Sequence, residues 1–318
     1  MADSLMTLAD IALLNDVSVE DYGATDIFLD APVLRILPAQ TASHGTDHKY
    51  LKHVTAPTVG FRAPNAGRDH SKTGRVWVTE TLKILDATFH LDAMIAKSNP
   101  KGEAFVMAME AMMHLRAAMK AAERQIFYGT AEDAGGFLGL VDNVGLNKID
   151  DAMVLTAGGT STGVFGDVWM IRATSDFANC AVILGNSGNI AIEPWERQLV
   201  SDGDGKQFPA LFQEIDGWLG LQVGGAKSVA RLVNLNLADG ASANTLTDDL
   251  LANLMELFPE EAPPTHIVMN KRARKQLMQS RTATNATGAP APLPTEYEGV
   301  PIVTTSACST YTTAVAAS

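Results

Sequence analysis

The sequence predicts an α+β protein, and three observations carry that prediction. One stretch, Ala104–Tyr128, contains neither Gly nor Pro and repeats apolar residues at three- and four-residue steps. Ahead of it, two extended runs flank a segment of turn residues. Behind it, short β-branched runs alternate with Gly-rich turns before helical periodicity returns at Thr245.

The long stretch is built from strong helix formers, and Phe105, Ala108, Met109, Met112, Leu115, Met119, Ala122 and Ile126 fall on one stripe. Pro100 suits a helix start and Gly129 a stop, which predicts roughly 25 residues and about 37 Å of helix. Glu110, His114, Arg116, Lys120, Glu123 and Arg124 are spread along it, while Ala111, Met113, Ala117 and Ala121 widen the small or apolar surface. Such a helix calls for two covers, one from the chain's own sheet and one from something else. The plainer reading is a long core helix with Met as packing filler.

The two runs before it, His48–Arg62 and Arg75–Asp92, read as a long hairpin closed by residues 63–74. In the second run Val76, Val78, Leu82 and Ile84 share a face, with Arg75, Thr79, Thr81 and Lys83 opposite. After Leu85 the phase inverts onto Ala87, Phe89 and Leu91, which predicts a bulge or bend near Asp86. A projecting two-stranded hairpin is marginal alone in water. Lys49, Lys52, Arg62, Arg68, Lys72 and Arg75 outweigh Asp47 and Asp69 there, a basic arm on an acidic chain. These cations are the candidate inter-subunit contacts, docking the arm onto another copy.

With 24 Lys+Arg against 36 Asp+Glu the chain carries a net charge of −12, and 46% apolar with 19% charged residues excludes disorder throughout. Its 318 residues can build a real core in one large or two ordinary domains. An acidic surface does not grip nucleic acid over its whole extent. Neither a signal peptide nor a membrane span is read. Cys180 and Cys308 lie far apart without metal-ligand spacing, for which a reducing compartment is the simplest reading and one disulfide the alternative.

At the start, Leu5, Leu8, Ile11 and Leu14 form a short helical pattern. The segment Ile27–Leu37 is broken by Pro32, and Pro38 follows it, so residues 1–43 read as an arm on another surface. After the long helix, residues 129–140 form a Gly-rich loop. Strands are predicted at Val168–Ala173, Ala181–Leu184, Ile190–Ile192, Gly217–Val223 and Val229–Asn234, with loops at Gly185–Gly188 and Ser201–Lys206. Leu246, Leu250, Leu254 and Leu257 mark a helix capped by Thr245 or Thr247 and ended by Pro259, Pro263 and Pro264. A strand at His266–Met269, a basic helix with Lys271, Arg272, Arg274 and Lys275 capped by Asn270, a loop at 282–295 and a strand at Val300–Thr305 complete the chain. The Ser/Thr/Ala tail reads as poorly ordered.

Catalytic chemistry finds no anchor in this pattern. His44, His48 and His53 with Asp47 offer the ligand types of a metal-dependent hydrolase, but at spacings that fit no helical pair. Asp202-Gly203-Asp204-Gly205 begins like a calcium loop, yet Lys206 and Gln213 stand where oxygen ligands belong. Gly158–Gly163 lacks the Lys-Ser/Thr ending of a phosphate loop, and Gly185–Asn189 misses the second Gly of a nucleophile elbow. No catalytic residue, cofactor or metal site is assigned, which favours a structural role.

Several phrases in order resemble the major capsid proteins of tailed bacteriophages. They are His48-Lys49-Tyr50-Leu51-Lys52, Ala56–Arg62 and Asn65, then Glu123–Gly129, Gly139-Leu140, Gly217–Val223, Val229–Asn234 and Glu298–Ile302. The resemblance implies the Hong Kong 97-like capsid fold, with an N-terminal arm (1–44), an extended β-hairpin loop (45–92) and a peripheral domain carrying a spine helix (93–150). A β-rich segment (151–214, axial or peripheral), further peripheral strands (215–240) and an axial domain with the tail (241–318) follow. It implies a homo-oligomer of hexamers and pentamers closing an icosahedral head around double-stranded DNA, with a separate scaffold protein, a portal and decoration proteins. It also places the protein in the virion after assembly in the host cytoplasm. An encapsulin-like compartment shell is the alternative of the same fold. The end departs from the family pattern, since Thr304–Cys308 has no acidic residue.

Overall fold

A computed structural model of the chain describes residues 30–142, 149–159, 162–174, 180–185, 190–201, 204–225, 227–283 and 289–315. The helical pattern expected at Leu5–Leu14 lies outside them. The first described element is a short helix, α1 (Pro32–Ile36). Pro32 opens this helix rather than breaking the segment, because a proline in the first turn forfeits no helical hydrogen bond. Nor does this part of the arm leave the body: Val33 and Leu37 are buried in the main core.

Strand β1 (Ala39–Thr41) leads into the hairpin of β2 (Asp47–Thr55) and β3 (Gly74–Thr81), a two-stranded sheet of its own. The strands are shorter than the predicted runs. Residues 56–73 form no strand, in keeping with Pro57 and Pro64, which have no N–H for a ladder. Next come β4 (Lys83–Asp86) and β5 (Phe89–Asp92). The bend predicted near Asp86 is real, and it marks a change of sheet. The Asp86 Oδ1 accepts the Thr88 N–H at 2.8 Å, so β4 and β5 can join different partners. Leu82, between β3 and β4, is buried where a Cβ on Gly220 would come within 2.3 Å of it. That break shifts the phase, so Ile84, expected beside Leu82, is exposed while Leu85 packs on the core.

After α2 (Ala93–Lys97) comes the long helix α3 (Glu103–Tyr128), 26 residues and about 39 Å. It bridges two apolar cores. Val106 and Met107 sit with Phe89, Leu91, Leu211 and Ile215, while Ala122, Ile126 and Phe127 belong to the main cluster around Trp169. Between them Met113, Ala117 and Ala121 stay exposed. The Gly-rich loop stops the helix by capping its last carbonyls, with the N–H groups of Leu140 and Val141 reaching Ile126 O at 2.8 Å and Phe127 O at 3.2 Å. Gly129, at φ 50°, and Gly139 are needed there, because their backbones touch.

The β-rich remainder runs β6 (Val154–Thr156), β7 (Thr162–Ile171), β8 (Cys180–Leu184), β9 (Ala191–Ile192), β10 (Glu196–Ser201), β11 (Gln207–Gln213), β12 (Ile215–Val223) and β13 (Val229–Asn236). Then follow α4 (Asp248–Glu256), β14 (His266–Met269), α5 (Lys271–Ala283), β15 (Glu296–Tyr297), β16 (Val300–Thr304) and β17 (Tyr311–Thr313). Thr247 caps α4 and Asn270 caps α5 through side-chain oxygens, as predicted. The largest sheet has the order β15-β16-β14-β7-β13-β6, with β17 also on β7. A second runs β1-β8-β12-β4 with β9 on β12, and a third β10-β11-β5. The β10–β11 hairpin is absent from the sequence expectations, because β10 carries its two apolar residues, Leu199 and Val200, side by side on opposite faces and shows no alternation.

The tail up to Val315 is ordered, contrary to expectation. Tyr311 lies opposite Phe165 on β7, and its hydroxyl donates to Asp167 Oδ1 at 2.7 Å while accepting the Asn234 N–H at 2.8 Å. Asn234, at φ 60°, exchanges two side-chain hydrogen bonds with the Val315 backbone. Buried Asp167 also takes Arg231 at 2.6 Å, whose guanidinium lies over the Trp169 ring. Polar side chains far away in sequence thus hold a segment that has no periodicity of its own.

Candidate assembly interface

The hairpin is rooted on the body by histidine chemistry. His48 Nδ1 accepts the Ser43 N–H at 3.3 Å, which leaves Nε2–H to donate to Gln222 Oε1 on β12 at 2.8 Å. Tyr50, buried beside Glu80, has its hydroxyl pKa raised, first by desolvation and then by the Glu80 charge. From this root an eight-residue strand carries the chain roughly 27 Å outward. At the far end Ser71 Oγ clasps Thr58, accepting its N–H at 2.6 Å and donating to its carbonyl at 3.0 Å. Asn65 turns at φ 62° and Arg62 donates to Ala66 O at 3.2 Å. The loop is shaped by its own polar contacts, and Val59 and Phe61 stand exposed on it.

The candidate contact cations divide into three groups. Lys49, Arg62, Lys72 and Arg75 are exposed. Arg68 is half-buried and lies across Gly60, where a Cβ would meet its guanidinium at 2.5 Å. Lys52 departs from the expectation of an outward cation. It is 8% exposed, because the alternation of β2 puts it on the inward face with His48 and Tyr50.

The residues read as a metal set do not converge. His48 serves the root, His44 Nδ1 is 2.8 Å from Ser43 Oγ, and His53 pairs with Arg75 farther along the hairpin. Among the described residues no three of His, Cys, Asp and Glu group as metal ligands. Gln213, the last position of the calcium-loop comparison, sits on β11 opposite Phe89 and donates to Glu193 O. Asp202 and Gly203 lie outside the described residues, as do Thr160, Ser161 and residues 186–189 of the two Gly-rich motifs. No described helix is long and apolar enough to cross a membrane.

Compared with known proteins, residues 29–313 match the family described as major capsid protein GP7. The chain belongs to that family. This capsid protein also resembles solved phage capsids. The structure of bacteriophage epsilon15 matches at TM-score 0.68 and 20% identity over 99% of this chain and 98% of that one. The capsid of bacteriophage JBD30 matches at TM-score 0.55 and 13% identity over 96% and 100%. A JBD30 capsid decorated with minor capsid protein trimers matches at TM-score 0.51 and 12% identity over 95% and 99%. Among curated protein sequences none matches. The fold is the Hong Kong 97-like capsid fold, with the hairpin as its extended loop and α3 as its long spine helix.

Within this capsid protein one buried carboxylate ties the arm, the spine and the C-terminal region together. Glu123 on α3 accepts the amides of Val33 at 2.7 Å and Leu34 at 3.3 Å in the first turn of α1, and the Thr305 hydroxyl. Asp30, paired with Arg116 at 2.7 Å, adds a second arm contact about two turns earlier on the same side of the helix. Desolvation pushes the Glu123 pKa above its ordinary value, and these donors oppose the rise. The sequence placed Glu123 among scattered polar positions of the helix. The sole cue to its role was a carboxylate within a small and apolar stretch.

Proposed function

We propose that this protein is the shell subunit of a tailed-phage head, gathered in hexamers and pentamers that close an icosahedral particle around double-stranded DNA. One observation carries the reading. The hairpin and its 56–73 loop stand off the body with Val59 and Phe61 exposed between basic residues, a surface that favours a protein cover over water. Among the described residues Met113, Ala117 and Ala121 on the spine are also exposed, in keeping with close tiling.

In this reading residues 45–92 reach to a neighbour, 93–150 and 215–240 form the peripheral domain, 241–318 form the axial domain and the tail, and 151–214 belong to one or the other. The contact set is Lys49, Arg62, Lys72 and Arg75, with Arg68 shaping the loop and Lys52 anchoring it from within. Assembly takes place in the host cytoplasm with a separate scaffold protein and a portal, and minor proteins decorate the outside, as the likeness to a decorated capsid supports. The work of the protein is tiling, without turnover of a substrate.

Deleting residues 63–74 tests this. The expected result is a folded subunit, by circular dichroism, that no longer forms megadalton particles in electron microscopy. Normal particles from the deletion would overturn the reading, and particles filled with a protein cargo instead of DNA would favour a compartment shell.

A further inference from the structure

The faces of the hairpin differ in chemistry. On one, His48, Tyr50, Lys52 and Glu80 are buried, and the His48–Gln222 bond at 2.8 Å leans that face on the subunit's own body. The register places the other set in direct pairs: Lys49 opposite Thr79, Leu51 opposite Trp77 and His53 opposite Arg75. Trp77 is 69% exposed there, and the exposed cations Lys49 and Arg75 flank it. A cleft of about 570 Å³ beside Trp77 is lined by Leu51, Arg75 and His48 of the hairpin and by Gln40 and Gln222 of the body.

An exposed tryptophan paired with leucine and bracketed by cations has the composition of an interface anchor rather than of a solvated strand. We propose that this face is covered by an acidic surface of a second copy of the chain, with Trp77 as the anchor. Charge selects the occupant. The chain carries 36 acidic against 24 basic residues, whereas the hairpin is locally basic, so one copy's hairpin complements another copy's body. The subunit's own body holds the opposite face through His48, while Trp77 stays 69% exposed among the described residues.

This inference rests on the reading of the hairpin as the inter-copy contact and names the face and anchor that serve it. Hydroxyl-radical footprinting of the full chain, read by mass spectrometry, compares Trp77 in unassembled subunits and in purified particles. Its oxidation should fall roughly fivefold or more on assembly. Trp77→Ala, and separately Lys49→Glu with Arg75→Glu, should each lower particle yield about tenfold, with the melting temperature of the subunit unchanged because these side chains are exposed. Trp77→Phe should restore most of the yield. Equal oxidation of Trp77 in subunits and particles overturns the inference while the 63–74 deletion still blocks assembly, so the reading beneath it stands. Protection that is lost once a co-purifying protein is stripped away also overturns it, by assigning the face to another protein. Normal assembly of the deletion removes both.

Discussion

The Glu123 carboxylate accepts the Val33 backbone N–H at 2.7 Å, joining the spine helix to a residue 90 positions earlier. Thr305, from the other end of the chain, donates to the same carboxylate. A group that is 0% exposed and has three donors from two distant segments makes the helix end a junction, and the junction sets the position of the arm.

Glu123→Ala should cost roughly 2–4 kcal/mol, because it leaves the Val33 and Leu34 N–H groups and the Thr305 O–H without their acceptor. Glu123→Gln keeps an acceptor for Val33 and can donate to Thr305, so its cost should be about 1 kcal/mol. Urea unfolding of the unassembled subunit measures both, and equal losses would show that hydrogen bonding is not the cause.

Burial holds the Glu123 pKa above its ordinary 4.5, so the folded state binds a proton in a range where the unfolded chain has released it. The associated stability is fully present below pH 4.5 and is lost as pH rises through the raised value. The melting-temperature difference between the natural protein and Glu123→Gln should therefore shift against the natural protein across the window above 4.5. A difference independent of pH there would contradict the raised value.

Tyr311→Phe removes the hydroxyl that links Asp167, at 2.7 Å, to the Asn234 amide. The expected loss is about 1–3 kcal/mol, together with faster hydrogen exchange at Asn234 and easier protease cleavage after Thr305. Unchanged cleavage would mean that backbone pairing with β7 suffices to hold the tail.

A Cβ at Gly139 would come within 2.4 Å of Gly129 N and 2.5 Å of Gln125 O, both backbone atoms that have no room to yield. Gly139→Ala should cost roughly 2–4 kcal/mol and loosen the cap on the spine helix. Gly67→Ala, where nothing lies within 4 Å, is the control and should be neutral in thermal melts.

Local patterns that repeat were legible in the residues themselves. The spine helix could be read from its composition, since Glu103–Tyr128 needs nothing but good helix formers and a glycine to end it. The phase inversion at Asp86 announced a bend, though not that the two halves join different sheets. The excess of cations along the hairpin was legible too, and Lys49, Arg62, Lys72 and Arg75 are exposed there. The sequence also determined the family, because its phrases are ordered along nearly the whole chain.

Only the tertiary structure decided which polar groups face inward. Lys52 reads like its basic neighbours, but strand alternation against the body turns it in, and Glu123 becomes a junction only when residues 33 and 305 arrive beside it. The tail, Thr-rich and without periodicity, is ordered by Asp167 and Asn234, which lie far from it along the chain. Periodicity records how a segment partitions between water and an apolar core. Hydrogen-bond partnership between distant polar groups leaves no such periodic mark, so the folded chain alone reveals it.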